Sequence, residues 1–420
     1  MSHSASNHLE ILAPAGSPEA LAAALQAGAD SVYFGAGVLN MRARAAQNFR
    51  EEDLPDVVKR CHDAGAKAYL ALNTVLYDNE LPAVERLCGL AAVAGADAVI
   101  AADPAAILAA RNEGLPVHLS TQANASNLAA VRFHAAWADV IVLARELSLD
   151  QIRVVSRGIQ EEDLRGPSGH LIRLEAFIHG ALCVAVSGHC WMSMAAYDHG
   201  ANRGDCLQPC RRSYLVSDPE TGTQFEVDNH YVMSPRDLCT IACLDQLIDS
   251  GVQVLKIEGR GRTADYVAAT VSCYREAIAS LADGSCSRER IAEWRERLAR
   301  VYNRGFWEGG HYLGLRTEVW SGSAGNQATQ TRHQAGVVTN YFSKQLVAEV
   351  WVQSQPLAVG DTVQIIGSTT GCQELQIQEG ELRLNNEPVD RVEKAEGVTF
   401  RVERKVRRGD KVFVISDTKR

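Results

Sequence analysis

The sequence predicts an α/β fold: an eight-stranded (β/α)8 TIM-like barrel over residues 1–330, interrupted by a cysteine-rich insertion at 180–251, and a small C-terminal antiparallel β-barrel domain over 331–420. Three observations lead there. A unit made of a short apolar run and an amphipathic helical pattern recurs along the first part of the chain, giving eight apolar runs. The connection after the seventh run is far longer than an ordinary strand-to-helix loop. The last part of the chain changes texture, to short β-rich runs separated by Gly, Asp and Asn turns.

The eight candidate strands are 11–13, 31–34, 67–72, 98–101, 117–120, 140–143, 173–178 and 252–257, with helical patterns such as 18–27, 54–64, 81–94 and 104–111 between them. Several helices close on Ala-Gly-Ala or Ser-Gly-Val, where Gly ends a helix ahead of a buried strand. Strands that alternate with helices pair in parallel, and eight such units fit a closed barrel. A doubly wound open sheet is the alternative. The turn after the first strand, Ala-Pro-Ala-Gly-Ser-Pro, lacks the Gly-rich phosphate loop of that fold.

Residues just past each barrel strand face one common mouth. That rule gathers Asn73 and Thr74, Asp103, Ser120 with Gln122 and Asn124, Arg145 and Glu146, His179, and Glu258 with Arg260; Lys256 lies on the last strand. Any one of them is readable as a cap or an ordinary hydrogen-bond partner. So many at equivalent points describe a binding mouth.

The 420 residues are 46% hydrophobic and 22% charged. The polar start, MSHSASNHLE, has no basic and apolar secretion signal, and no apolar run is long enough to span a membrane. A soluble, cytoplasmic protein with no membrane or DNA partner is expected. Residues 401–420 carry eight Lys/Arg against three Asp/Glu within a chain of net charge −9. That basic end suits RNA phosphates, and equally a solvated strand edge guarded by charge.

Eleven cysteines in a reducing compartment argue against a disulfide framework. Four crowd the insertion, in HGALCVAVSGHC and NRGDCLQPCRRSY: Cys183, Cys190, Cys206 and Cys210, spaced C-x6-C, fifteen residues, C-x3-C. Thiolates suit soft metals and iron–sulfur clusters. Zinc is the competing occupant, although four-cysteine zinc sites favour two tighter hooks. Arg203, Arg211 and Arg212 stand ready to offset the negative charge. Cys61, Cys88, Cys273 and Cys372 read as buried small hydrophobes, and Cys239, in what reads as a helix start, as a lesser candidate ligand. The C-x3-C-x2-C loop of radical-SAM enzymes is absent, position 213 being Ser, as are H-E-x-x-H and G-x-S-x-G. A Cys183–His179 hydrolase pair is conceivable, but leaves three cysteines unexplained.

LAPAGSPEALAAALQAGADSVYFGA, HLSTQANASN, VLARELSL, the two cysteine segments, SPRDLC and LKIEGRGRTADYV together resemble the U32 peptidase family over roughly residues 9–280, with NRGF at 303–306 extending the match. The family takes its name from reports of collagenase-like proteolysis. Its members include hydroxylases of tRNA uridine 34 or of a ribosomal RNA cytidine, and paired proteins for oxygen-independent ubiquinone hydroxylation. The resemblance implies a 4Fe–4S cluster on the four insertion cysteines, prephenate as co-substrate and tRNA as partner. The intact QPCR context and the appended domain make the chain most similar to the tRNA 5-hydroxyuridine enzymes. Ribosomal RNA hydroxylation, peptide hydrolysis and a non-catalytic RNA-binding scaffold are the alternatives.

Within that reading, Arg145, Lys256 or Arg260 binds a carboxylate of prephenate. Asn73, Gln122 and Asn124 complete the substrate contacts, and Glu146, His179 or Glu258 moves protons. The C-terminal module, similar to the β-barrels of translation factors, either holds the tRNA body or passively covers the barrel's flank.

Overall fold

The computed structural model describes residues 9–44, 46–227, 233–314, 319–322 and 325–418. Most of the polar start, and Lys419 and Arg420 of the basic end, lie outside the described residues. The barrel strands are β1 (Glu10–Ala15), β2 (Ser31–Phe34), β3 (Lys67–Ala71), β4 (Ala98–Ala101), β5 (Val117–Leu119), β6 (Val140–Val142) and β7 (Arg173–Ala181). The long connection contributes a hairpin, β8 (Tyr214–Ser217) and β9 (Gln224–Val227), and a further strand, β10 (Asp237–Cys239). β11 (Val254–Ile257) is the eighth barrel strand, and pairs in parallel with both β7 and β1, so the cylinder closes.

Helices α1 (Pro18–Gln26), α2 (Leu54–Asp63), α3 (Leu81–Ala94), α4 (Pro104–Asn112), α5 (Leu128–His134) and α6 (Leu149–Glu161) run between the first seven strands. Local chemistry sets their ends. Ser17, Asp103, Asn127 and Ser148 each accept a backbone N–H at a helix start, and Gly95, at φ 80°, ends α3. Alternation then sorts the strands. Ile11, Ala13, Val32, Phe34 and Leu70 meet the helices, while Leu12, Tyr33, Tyr69, Ile100 and Val254 fill the cylinder. Among the described residues, no helix is long and apolar enough to cross a membrane.

The barrel interior is polar at two levels. Glu10 accepts hydrogen bonds from Ser31, Tyr69 and Arg173 at 2.7–2.9 Å. Burial pushes its carboxyl up, but Arg173 and the two hydroxyls outweigh burial and hold it down at about 2. Above it, fully buried Glu175 joins Lys256 and His118.

The structure departs from the sequence expectation after β7. That strand continues to Ala181, and β10 returns from the insertion to pair antiparallel with its far end, while β12 (Phe306–Glu308) pairs in parallel with β10. Ser-Pro-Arg-Asp carries the cap and proline of a helix start, yet the free edge of β7 makes 237–239 a strand. Cys239 is thus wholly buried within a sheet. The short helices α7 (Met192–Tyr197) and α8 (Leu244–Asp249) lie within the connection; α9 (Ala264–Ala282) and α10 (Arg288–Arg300) follow β11.

The C-terminal part is an eight-stranded antiparallel sheet around its own core of Val350, Ile365, Val398 and Phe400. Its longest strand, Gln330–Phe342, pairs with both Val347–Val352 and Lys411–Asp417. The sheet docks on the barrel through the turn before Gly371–Gln376. There Arg60 donates to the Ser368 carbonyl at 2.7 Å, and elsewhere on the junction Arg332 of the long strand meets Asp265 of α9 at 2.9 Å. Gly371 has φ +69°, and a Cβ there would lie 2.9 Å from the Ala23 nitrogen, so glycine lets the turn seat against α1.

Candidate functional site

The insertion folds back across the C-terminal mouth of the barrel and is clamped at several points. Arg203 pairs with Glu80 and bonds the Val75 carbonyl. Gly204, φ +86°, packs so closely that a Cβ would lie 2.4 Å from the Asn40 carbonyl oxygen. Ser187 donates its hydroxyl to Asn124 Oδ1 at 3.0 Å, and its backbone N–H meets Glu146 Oε1 at 3.3 Å. Beneath this cover lies a cavity of about 210 Å³.

All four insertion cysteines line it. Cys183 is exposed, and Cys190, Cys206 and Cys210 are half-buried; all four are free thiols. The Cys183 and Cys190 sulfurs each accept a backbone N–H from two residues on, Ala185 and Met192, at 3.4 Å. Such N–H···S bonds stabilise a thiolate ligand. Burial pushes the Cys210 thiol up to about 11, against the pull of neighbouring Arg211. Among the described residues, no three His, Cys, Asp or Glu side chains are grouped as a single ion requires. The four thiols nevertheless share the wall of one cavity.

The rest of the lining is strongly cationic. Arg42, Arg145, Arg211, Lys256, Arg260, Arg262 and Arg304 line the cavity against a single carboxylate, Glu258. Several of these charges are already matched. Arg42 pairs with Glu258 at 2.9 Å, and Lys256 with Glu175. Arg262 and Arg304 flank the buried Asp237 at 3.6 and 3.5 Å. Burial pushes the Glu258 carboxyl up, but Arg42 and Arg262 outweigh it and bring it down to about 2.

Arg145, Arg211 and Arg260 are left with no carboxylate partner among the described residues. Arg145 donates to the Ala181 carbonyl at 3.0 Å, 3.9 Å above the Phe177 ring. Arg211 bonds Ser234 and the carbonyls of Leu182 and Pro235. Arg260 bonds Asn40 at 3.0 Å, and burial drives its guanidinium down to about 10. Desolvated cations without counter-charges are costly. An anion among them would be bound strongly.

The predicted site residues divide accordingly. Asn73, Gln122, Arg145, Lys256, Glu258, Arg260 and the four cysteines share the cavity. Asn73 Oδ1 accepts the Met41 N–H at 3.2 Å, and Gln122 Oε1 accepts the Ser120 hydroxyl at 3.1 Å, so among the described residues each amide keeps its NH2 for a ligand. Asn124 and Glu146 act on the insertion loop through Ser187. Arg203 and Arg212 are spent on Glu80 and Tyr197, leaving Arg211 as the one of the three proposed arginines that lines the cavity. Arg42 was not anticipated, since the loop after β2 carries it well beyond the strand end.

His179 is removed from the cavity wall. The register between β7 and β11 shifts after Lys256, and the face of β7 that points inward at Phe177 turns outward. The imidazole packs against Tyr266, Tyr274 and Phe306, 1% exposed, with Nδ1 3.4 Å from the Tyr274 hydroxyl. Burial, and then Arg262, depress it to about 3. A proton carrier for the cavity, or a base for Cys183, has no footing there.

That depression has a pH signature. Below the unfolded value of about 6.5 the unfolded chain takes up a proton that native His179 refuses, so stability falls as pH falls from about 6.5 towards 3. The expected loss is about 2 kcal/mol by pH 5, ahead of carboxylate titration. Urea midpoints across pH 5–7 should show it, and His179→Gln should flatten the profile. Parallel profiles would remove this role for His179.

A model of peptidase family U32 matches residues 16–320. A Porphyromonas gingivalis protein named collagenase is 45% identical over 407 residues, which cover 97% of this chain and 98% of that protein. The Bacillus subtilis tRNA hydroxylation protein P1 is 34% identical over 354 residues, covering 79% of this chain and 77% of its own. The Escherichia coli 23S rRNA 5-hydroxycytidine C2501 synthase is 36% identical over 300 residues, 70% of this chain and 42% of that one.

Proposed function

The chain belongs to peptidase family U32, and from that premise we propose that it is an RNA-modifying enzyme that hydroxylates C5 of a tRNA wobble uridine. In this reading Cys183, Cys190, Cys206 and Cys210 hold a 4Fe–4S cluster, prephenate is the co-substrate, and the protein works in the cytoplasm. The observation that carries it is the composition of one cavity: four thiols together with Arg145, Arg211 and Arg260, three guanidiniums without carboxylates of their own among the described residues.

A single tetrahedral ion would draw four sulfurs to about 2.3 Å from one point. A cubane takes them at separate corners, and the N–H bonds that the Cys183 and Cys190 sulfurs accept would support thiolate ligands of either kind. When bound, such a cluster would transfer electrons or hold the insertion in shape.

The chain's own groups do the rest. Arg145 and Arg260 offer planar forks to the carboxylates of a small dianion, and Tyr33 and Phe177 give its ring apolar walls. Glu258 stays ionised and orients Arg42, so proton donation does not fall to it. The free NH2 groups of Asn73 and Gln122 suit the carbonyl oxygens of a uracil. An anticodon base is single-stranded and enters such a pocket at little unstacking cost. The P. gingivalis relative's name would instead suggest peptide hydrolysis, but among the described residues the cavity offers Cys183 no histidine base.

The test is nucleoside analysis of tRNA from a bacterial host stripped of its own wobble-uridine hydroxylases and expressing this chain. Restored 5-hydroxyuridine supports the reading. A hydroxylated ribosomal cytidine with unchanged tRNA would move the activity to ribosomal RNA, and unmodified RNA throughout would overturn it. Arg145→Gln should leave the iron content intact and cut product about tenfold or more at limiting prephenate, the cost of one charge-assisted carboxylate contact; an unchanged yield would remove Arg145 from the dianion site.

A further inference from the structure

A second depression, of about 540 Å³, opens where the barrel mouth meets the C-terminal sheet. It shares the Arg260, Gly261 and Arg262 loop with the cysteine cavity, so the two adjoin across one piece of backbone. Its outer wall is the turn joining strands Gly397–Arg401 and Lys411–Asp417, which brings Arg407, Arg408 and Lys411 into the cleft. All three are exposed, and none has a carboxylate partner among the described residues. Arg332, by contrast, is spent on Asp265.

The acids of the cleft do not cancel this charge. Asp410 is buried, and its carboxylate accepts the Thr370 hydroxyl at 2.5 Å and the Arg407 backbone N–H at 2.7 Å. It fixes the turn that presents the cations and offers them no ion pair. Glu19, in the first turn of α1, is the other acid. Cations on a turn held in this way lose little freedom on binding a ligand.

We propose that this cleft carries the sugar–phosphate backbone next to the nucleotide whose base enters the cavity, with Arg407, Arg408 and Lys411 each neutralising a phosphate. The proposal rests on the RNA reading above and deepens it: base contacts in the cavity select the nucleotide, and phosphate contacts in the cleft set its register. The sheet is then a working wall of the substrate path.

The experiment uses the full, iron-loaded chain and an unmodified anticodon stem-loop RNA, with affinity measured across a salt series. The triple variant Arg407→Gln/Arg408→Gln/Lys411→Gln should weaken binding about tenfold or more. It should also flatten the slope of log affinity against log salt by about 2, since each single-strand phosphate contact contributes about 0.7. Iron content and thermal midpoint should stay unchanged. A matched variant at exposed bases that do not line the cleft, Arg157→Gln/Arg288→Gln/Lys394→Gln, should keep the wild-type slope. If the wild type binds and modifies RNA while the two triple variants behave alike, the cleft assignment is wrong and the RNA reading stands. If the wild type binds no RNA at any salt, both fall together.

Discussion

Replacing Cys206 and Cys210 with serine is expected to remove iron and sulfide from the protein together and to abolish 5-hydroxyuridine formation, leaving a folded barrel. Both residues line the cavity, and Cys210 sits within electrostatic reach of the other three thiols. A thiolate is the ligand a soft iron site selects, and a serine hydroxyl stays protonated at neutral pH, so two lost ligands leave a cluster held on one side only. The barrel core is built from other residues, so far-UV circular dichroism should change little. Wild-type protein purified without oxygen should hold about four iron and four sulfide per chain, the content of one cubane. Metal retained in full by the double variant would contradict the ligand assignment.

The second large effect lies beneath the cavity. Lys256→Met should destabilise the fold by about 3–5 kcal/mol, because it leaves Glu175 buried with only His118 as a charge partner. Burial alone pushes the Glu175 carboxyl up; Lys256 and His118 outweigh it and hold it below the usual carboxylate range. The double variant Glu175→Gln/Lys256→Met removes the orphaned charge and should regain most of the loss. Denaturant midpoints of the two single variants and the double form the cycle that measures the coupling. Additive losses would mean that the pair is not coupled. Lys256 also lies 4.6 Å from the Tyr33 ring centre, so the same pair levels the cavity floor.

The barrel was legible because each strand and helix carries its own punctuation: Ser17, Ser148 and Gly95 mark helix ends, and alternation such as Ile11 outward and Leu12 inward marks strands. The four cysteines stand out by their crowding in the sequence, and the fold brings them to one cavity. What local signals could not carry was pairing at a distance. The segment 237–239 has the start of a helix and becomes a strand because β7 offers it an edge. His179 looked like a mouth residue because the apolar run stops at Ile178; the strand runs on to Ala181 and turns its face toward α9. Arg42 was hidden for the converse reason. It sits far along the loop after β2, and only its bond to Glu258 across the barrel brings it to the cavity.

The basic end illustrates the same limit. Composition showed the charge in residues 401–420 without telling an RNA contact from a guarded strand edge. In the fold, Arg407, Arg408 and Lys411 stand over a cleft that shares the Arg260–Arg262 loop with the cysteine cavity, whereas Arg404 is bonded to Gln26 and the Cys372 carbonyl at the domain junction. One sequence feature thus divides between a docking contact and a charged wall.

The most direct measurement is nucleoside mass spectrometry of tRNA from hydroxylase-deficient cells that express the iron-loaded protein and either make prephenate or cannot. The account predicts one hydroxylated uridine per tRNA, at the wobble position and only with prephenate. Unchanged tRNA from protein that holds its full complement of iron and sulfide would contradict it.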